Sequence, residues 1–398
     1  MNYPKLRLGI VGLGNMGSGH MMNVLGGKVP NVELTAVCDI RPDRLTLAKE
    51  KAPDVPRFTD YAEMLSSNLC EAILIATPHY FHPPMAIAAF EAGLHVLTEK
   101  PAGVRVSDVL EMNAAAHRSG KVFGIMFNQR TGELFQKARE LVQNGSLGEL
   151  RRLTWIITNW YRTDAYYQSG DWRGSYNGEG GGVLLNQAPH NLDLLQWIAG
   201  MPTSLFATCG FGKHHSVIEV EDEAILTMEY ENGATAQFIT TTGEYPGTNR
   251  LEIVGDRGKI VLESGTLRHY DNGFSVANHS RTAAGSSCQE KPTLTEYTAS
   301  TPERAHAGVL TDFAAAIRTG SPLVADGREG IAMLTLANAA YLSAWEGRKI
   351  NLPLSEADRA RFNELLEERI TKSAPLPSNA STHTPDGNIS SRWKIKWD

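Results

Sequence analysis

At 398 residues, with 42% apolar and 21% charged side chains, the chain is long enough for two domains and has the composition of a globular protein. A net charge of −6 leaves no basic footprint for nucleic acid, and no apolar run reaches the roughly eighteen residues of a membrane helix. Four scattered cysteines without paired spacing read as reduced thiols, and residues 1–5 run into the first apolar stretch with no signal-peptide pattern, so a cytoplasmic protein is expected.

The first predicted strand, residues 6–11, runs into Gly12-Leu13-Gly14-Asn15-Met16-Gly17. A helix to about Leu25 follows, then a second apolar run over 32–38 that ends at Asp39. Strand, Gly-x-Gly-x-x-Gly turn, helix, strand and acidic residue, in that order, make a dinucleotide fingerprint. Gly12 allows the tight turn, Gly14 the approach of a pyrophosphate, and Gly17 close packing of helix on strand. The helix start, with Asn15 and Met16, offers unpaired N–H groups and a positive dipole end to phosphate. Asp39 is placed to accept from a ribose 2′-hydroxyl, which favours NAD. Ile40 adjoins it, and Arg41 and Arg44 could receive the 2′-phosphate of NADP instead.

The pattern then alternates, with helices over 41–52, 61–65, 85–92 and 106–119 and strands over 71–76, 95–98 and 121–126. This predicts an α/β Rossmann domain over 1–127, a doubly wound parallel sheet. A helix over 132–144 leads to strand-like runs over 150–159, 203–212, 224–230, 235–242 and 250–254, with no helices between the later ones. A large, mostly antiparallel open sheet follows from that spacing. Helices over 301–318 and 330–345 and a short strand over 349–354 complete an α+β substrate-binding domain over 128–354, with its helices on one face. Residues 355–398 form a last segment: an amphipathic helix to about 370, then Ser-, Thr-, Asn- and Pro-rich text that cannot support a core. Its Trp393…Trp397 end reads as frayed, or as docking on this subunit or a neighbour.

Ligands of open α/β sheets sit beyond the carboxyl ends of the strands. Three loops qualify: Ala76-Thr77-Pro78-His79 with His82, Glu99-Lys100-Pro101, and the stretch holding Asn128 and Arg130. The first loop, Glu99, Lys100 and Asn128 form the predicted cofactor edge. A lysine at that crowded end suits holding or deprotonating a substrate hydroxyl. The second dense stretch is Gly180-Gly181-Gly182…Asn186-Gln187…His190…Asp193, read as a glycine run opening a helix on which Asn186, Gln187 and His190 share a face. Ahead of it stand Tyr161, Arg162, Trp172 and Arg173; aromatic faces stack on sugar rings and arginines bind anions bidentately. These four, with Lys100, Arg130, Asn186, Gln187 and His190, are the predicted substrate contacts. His79 and His82, and separately His214-His215, show no metal-ligand spacing, so no metal is expected.

The Gly12–Gly17 fingerprint, Thr77-Pro78, Glu99-Lys100-Pro101 and the Gly-Gly-Gly…His190-x-x-Asp193 stretch together resemble the Gfo/Idh/MocA oxidoreductases, over nearly the whole chain from Leu6 to Leu354. The resemblance implies NAD(P)-dependent hydride transfer at a hydroxyl-bearing carbon of a sugar, glycoside or cyclitol, with nicotinamide at the domain junction. It implies Lys100 as catalytic lysine, His190 as acid/base histidine, and a homodimer or homotetramer formed through the second domain's sheet. Inositol-dehydrogenase-like relatives carry an aspartate where this chain has Asn186. Asparagine orients but carries no charge, which leaves the proton to His190 or to Lys100. Some proteins resembling this family hold NAD tightly and hydrolyse glycosides by transient oxidation, elimination, water addition and re-reduction. That reaction is the alternative to net redox.

Overall fold

The structure is a computed structural model that describes residues 3–170, 172–302 and 304–373. The Trp393…Trp397 end lies outside the described residues. The first sheet comprises β1 (Leu6–Val11), β2 (Val32–Cys38), β3 (Arg57–Phe58), β4 (Ala72–Ile75), β5 (His95–Thr98) and β6 (Phe123–Ile125). Its order is β3-β2-β1-β4-β5-β6 and every pair is parallel. Between the strands run α1 (Asn15–Leu25), α2 (Pro42–Lys51), α3 (Tyr61–Ser66), α4 (His82–Glu91) and α5 (Val106–Ser119). Helices on both faces explain why β4 is buried at every residue and reads as an unbroken apolar run. α4 begins ahead of the expected residue 85 because Pro83 fits the first helical turn. Strand order reverses between β1 and β4, so a crevice opens beyond their carboxyl ends, at Gly12 and Ala76.

α6 (Glu133–Gln143) leads into a second sheet of β7 (Leu150–Ile157), β8 (Ser204–Phe211), β9 (Glu221–Glu229), β10 (Thr235–Thr241), β11 (Asn249–Gly255), β12 (Gly258–Glu263), β13 (Thr266–Asp271), β14 (Thr293–Thr298) and β15 (Ile350–Asn351). The order is β14-β13-β12-β11-β7-β10-β9-β8-β15. β7 and β10 run parallel; the other neighbours are antiparallel. β12, β13 and β14 extend the sheet past the runs the sequence suggested. Ser264 and Gly265, at φ 49° and 71°, make the two-residue turn of the β12–β13 hairpin. Side chains alternate across the sheet: in β9, Ala224, Leu226 and Met228 are buried while Ile225 and Thr227 face outward. α8 (Pro189–Ala199) and α11 (Gly330–Glu346) pack together, and α11 lies on β8.

Short α7 (Asp164–Tyr167) and α9 (Val276–Thr282) lie in the connections. α10 (Ala305–Thr319) returns to the first sheet, although its residues fall within the stretch read as the second domain. Val309, Leu310 and Phe313 share a core with Leu6, Leu8 and Leu97, and Arg318 pairs with Glu71 at 2.8 Å. α12 (Glu356–Lys372) joins the second domain's core, with Phe362 stacked on Trp345 at 5.5 Å. Among the described residues no helix is long and apolar enough to cross a membrane.

Candidate active site

The three glycines of the first turn differ in what surrounds them. A Cβ on Gly12 (φ +84°) would lie 2.7 Å from the Ala76 carbonyl oxygen, and one on Gly17 1.8 Å from that of Gly12, whereas nothing stands within 4 Å of one on Gly14. α1 starts directly after Gly14 with no side chain capping it. Its first N–H groups therefore remain available to an anion. Asp39 fixes the next strand end: Oδ2 accepts from Leu13 N–H at 2.6 Å and Oδ1 from Arg41 N–H at 2.8 Å. The Arg41 guanidinium bonds Asp43 at 3.1 and 2.9 Å, and Arg44 lies 4.0 Å from the same carboxylate. Ile40 is exposed. An open glycine, an uncapped helix start and a carboxylate at the ribose position fit NAD.

β5 ends in Glu99 and Lys100. Glu99 is buried, with Oε1 2.7 Å from His20 Nε2 and Oε2 accepting from Lys100 N–H at 3.1 Å. Burial opposes its ionisation, but His20, His306 and Lys100 hold its pKa below the ordinary carboxylate range. Its carboxylate thus sits on α1, and sequence reading singled out neither His20 nor His306. Lys100 keeps a partly exposed edge, and its Nζ donates to Asn186 O at 2.9 Å. Close packing around the ammonium pushes its pKa below the ordinary 10.5; Arg173 and Arg162 push the same way, against Glu99 and Glu179.

The glycine run does not open the helix. α8 begins at Pro189, and Pro189 sits in its first turn, where an absent N–H leaves no bond unmade. Asn186 and Gln187 precede the helix, which corrects the expectation that they share a helical face with His190. Residues 180–188 instead form a packed turn held by Glu221. That carboxylate accepts from Gly182 N–H (2.8 Å), Leu184 N–H (2.9 Å) and Tyr341 O–H (2.8 Å), and burial raises its pKa to about 7 against those bonds. The turn presents Asn186 O to Lys100. α8 presents His190, which lies edge-on to Phe127 at 6.3 Å. Burial first, then Lys100, push the His190 pKa well below 6.5, so the ring is neutral, and Nδ1 has no partner.

Glu179 is a buried carboxylate that sequence reading missed; its one signal was a lone acid in glycine-rich text. It accepts from Gly174 N–H at 2.7 Å and from the Asn186 side-chain amide. Burial raises its pKa while Arg173, the Gly174 bond, Asn186 and Lys100 lower it. The charge that Asn186 lacks therefore stands one contact away. Tyr166 Oη accepts from Arg173 (2.7 Å), Gln187 (3.2 Å) and Asn186 (3.3 Å). Arg173 lies 4.5 Å from the Tyr166 and Trp172 ring centroids, and Arg162 5.0 Å from that of Tyr166. Tyr161 is exposed beside Tyr245, and Trp172 lies edge-on to His79 at 5.5 Å.

Other predicted residues have different work. Both His82 nitrogens lie 2.7 Å from carbonyls, Pro101 O and Thr77 O, so His82 ties two loops together and has no nitrogen left for a cofactor. His79 Nδ1 is 2.9 Å from Glu179 O, which joins the two domains at the site. Thr77 Oγ1 contacts Met85 Sδ, within the loop that carries Ala76 and Pro78. Arg130 is 1% exposed and grips Asp193 at 2.6 and 2.7 Å, with Glu329 as a further partner. It fixes α8 and is withdrawn as a substrate contact. Asn128 Oδ1, Gln187 Oε1, His190 Nδ1 and Arg162 Nε are buried without a hydrogen-bond partner. Eight further such atoms, Tyr230 Oη and Trp345 Nε1 among them, belong to described residues outside the predicted site. Away from this junction, His279, Cys288 and Glu290 bring ligand-type atoms within 4.8 Å of one another near the surface.

A doubly wound parallel sheet with an open glycine turn, joined to a second, mostly antiparallel domain through Lys100–Asn186 and His79–Glu179, makes a two-domain architecture of the dinucleotide-binding kind. Residues 6–127 match the oxidoreductase family with NAD-binding Rossmann fold, and 135–261 match the GFO/IDH/MocA C-terminal domain. The chain belongs to the Gfo/Idh/MocA family, and its first domain is an NAD-binding Rossmann domain. It is 27% identical to the myo-inositol 2-dehydrogenase of Thermotoga maritima over 65% of this chain and 75% of that protein. It is 26% identical to the D-glucoside 3-dehydrogenase of Escherichia coli over 81% of this chain and 91% of that protein. It spans only 61% and 66% of the length of two other curated relatives. The WlbA dehydrogenase of Bordetella pertussis, solved with NADH and UDP-GlcNAcA, superposes with a TM-score of 0.73 at 27% identity, over 88% of this chain and 100% of that one.

Proposed function

We propose that this protein is an NAD-dependent dehydrogenase that moves a hydride between the cofactor and a hydroxyl-bearing carbon of a sugar, glycoside or cyclitol. The observation that carries this reading is Lys100: a packed amine of lowered pKa at the carboxyl end of β5, bonded to Asn186 O and in the electrostatic field of His190. When bound, NAD supplies the hydride acceptor, held by Gly12, Gly14, the N–H groups that start α1, and Asp39. Lys100, as the neutral amine, takes the substrate hydroxyl proton. His190, neutral through burial, orients that hydroxyl by a hydrogen bond and carries no charge. Asn186, held by Glu179 and Tyr166, keeps its carbonyl on Lys100 and so fixes where the amine points. The relatives named for inositol and D-glucoside oxidation support the substrate class.

The test supplies purified protein with NAD and a panel of free sugars, cyclitols and aryl glycosides, following nicotinamide absorbance and products together. Reduced cofactor in proportion to a ketone product is the expected result. Aglycone release with no net cofactor reduction would replace the reading with redox-assisted hydrolysis. The outward face of the second sheet, with Phe206, Thr208, Ile225 and Thr227 exposed, supports a homodimer or homotetramer. Light scattering that finds a monomer at micromolar concentration would remove that part of the proposal.

A further inference from the structure

We propose that the substrate is an anionic sugar, whose carboxylate or phosphate ester is held by Arg162 and Arg173. This rests on the dehydrogenase reading and narrows its substrate class. Elsewhere in the chain, Arg130 holds Asp193 and Arg318 holds Glu71, whereas Arg57, Arg139 and Arg369 are half-buried without a carboxylate within 4.0 Å among the described residues. Arg162 and Arg173 are both half-buried, and among the described residues neither has a carboxylate within 4.0 Å. Arg162 Nη1 donates to Tyr161 O at 2.9 Å, and its buried Nε donates to nothing. Arg173 Nη1 donates to Tyr166 Oη at 2.7 Å. Both guanidinium groups lie against the Tyr166 ring, which orients each planar group and leaves fork edges free for an anion.

Charge around Lys100 leads to the same place. Three cations (Lys100, Arg162, Arg173) and two carboxylates (Glu99, Glu179) act on one another there. Glu99 is taken by His20, and Glu179 by Gly174 N–H and the Asn186 amide. Neutral N–H donors leave the Glu179 carboxylate as a counterion, and Arg173 is its foremost charged neighbour; Arg162 has no such carboxylate within 4.0 Å among the described residues. The uncapped α1 start, which would hold cofactor phosphates, lies on the first domain, whereas both arginines belong to the second. An anionic group on the sugar is what remains, carried on the same molecule as the carbon that meets Lys100.

The experiment compares kcat/KM for matched substrates at fixed ionic strength: methyl glucoside and methyl galactoside, the corresponding methyl uronides, and the 6-phosphates. In parallel, calorimetry measures uronate and sugar-phosphate binding to the NADH-loaded enzyme. An anionic member should exceed its neutral counterpart by about 30-fold or more, and salt should narrow the gap. Whichever anion wins, uronide or phosphate, identifies the group. Arg162→Gln and Arg173→Gln should each weaken anion binding about tenfold, while the lysine variants at both positions retain part of it. If a variant fails to fold, the substrate preference of the native enzyme still decides. Equal use of neutral and anionic sugars overturns the proposal and leaves the dehydrogenase standing. Anion binding that the arginine variants weaken, with no sugar reducing NAD, sinks the dehydrogenase and keeps the anion site. No anion preference in turnover or in binding overturns the proposal outright.

Discussion

In the turn over Gly12–Gly17 the N–H groups at the start of α1 have no side-chain cap, and the space above Gly14 is open. In the turn over Gly180–Gly182 the amides point inward, and Glu221 consumes those of Gly182 and Leu184. A Cβ on Gly182 would meet Glu221 O at 1.9 Å, and one on Gly181 the Tyr341 hydroxyl at 2.2 Å. Similar composition thus serves two ends. The first run keeps side chains away so that a phosphate can approach. The second keeps them away so that protein can pack, and so delivers Asn186 and His190 to Lys100.

That contrast can be broken by substitution. Gly182→Ala forces a methyl against fixed backbone and should cost about 3 kcal/mol or more, read by denaturant unfolding. Glu221→Gln tests the anchor of the same turn. The folded pKa of about 7 lies above the ordinary 4.5, so Glu221 contributes stability that is fully present below pH 4.5 and lost as pH rises through 7. The full window amounts to about 3 kcal/mol, and the variant should flatten that slope in melts across it. Gly14→Ala has the smallest effect on the fold, within about 1 kcal/mol, because its methyl enters open space. It should weaken NADH binding about tenfold or more by filling the path of the pyrophosphate. A Gly14→Ala protein that loses several kcal/mol of stability (about 3 or more) yet binds NADH normally would reverse the assignment of the two turns.

Much of the first domain was legible because its signals are local: buried parallel strands read as apolar runs, and the fingerprint occupies six consecutive residues. The second domain's half-buried strands were legible by alternation, and β12 to β14 escaped because short hairpins lack a long run. The start of α8 was misplaced although Pro189 carried the signal, since proline prefers the first helical turn. Arg130 was misread because a lysine or arginine at a strand end looks the same in sequence whether it faces a ligand or a buried Asp193. Glu179, His20 and His306 could not be found by spacing. They act on Lys100 and Glu99 from positions far apart in the chain, and only folding brings them together.

The most direct test of the account is the pH dependence of single-turnover hydride transfer in the native protein and in Lys100→Met, using any substrate the panel yields. The account predicts a rate that rises with pH toward a midpoint below 10.5, as the lysine loses its proton. In the variant the rise should vanish and the rate fall by about 10²- to 10⁴-fold, with NADH binding and melting temperature retained. A Lys100→Met protein that kept both the rate and the profile would contradict it.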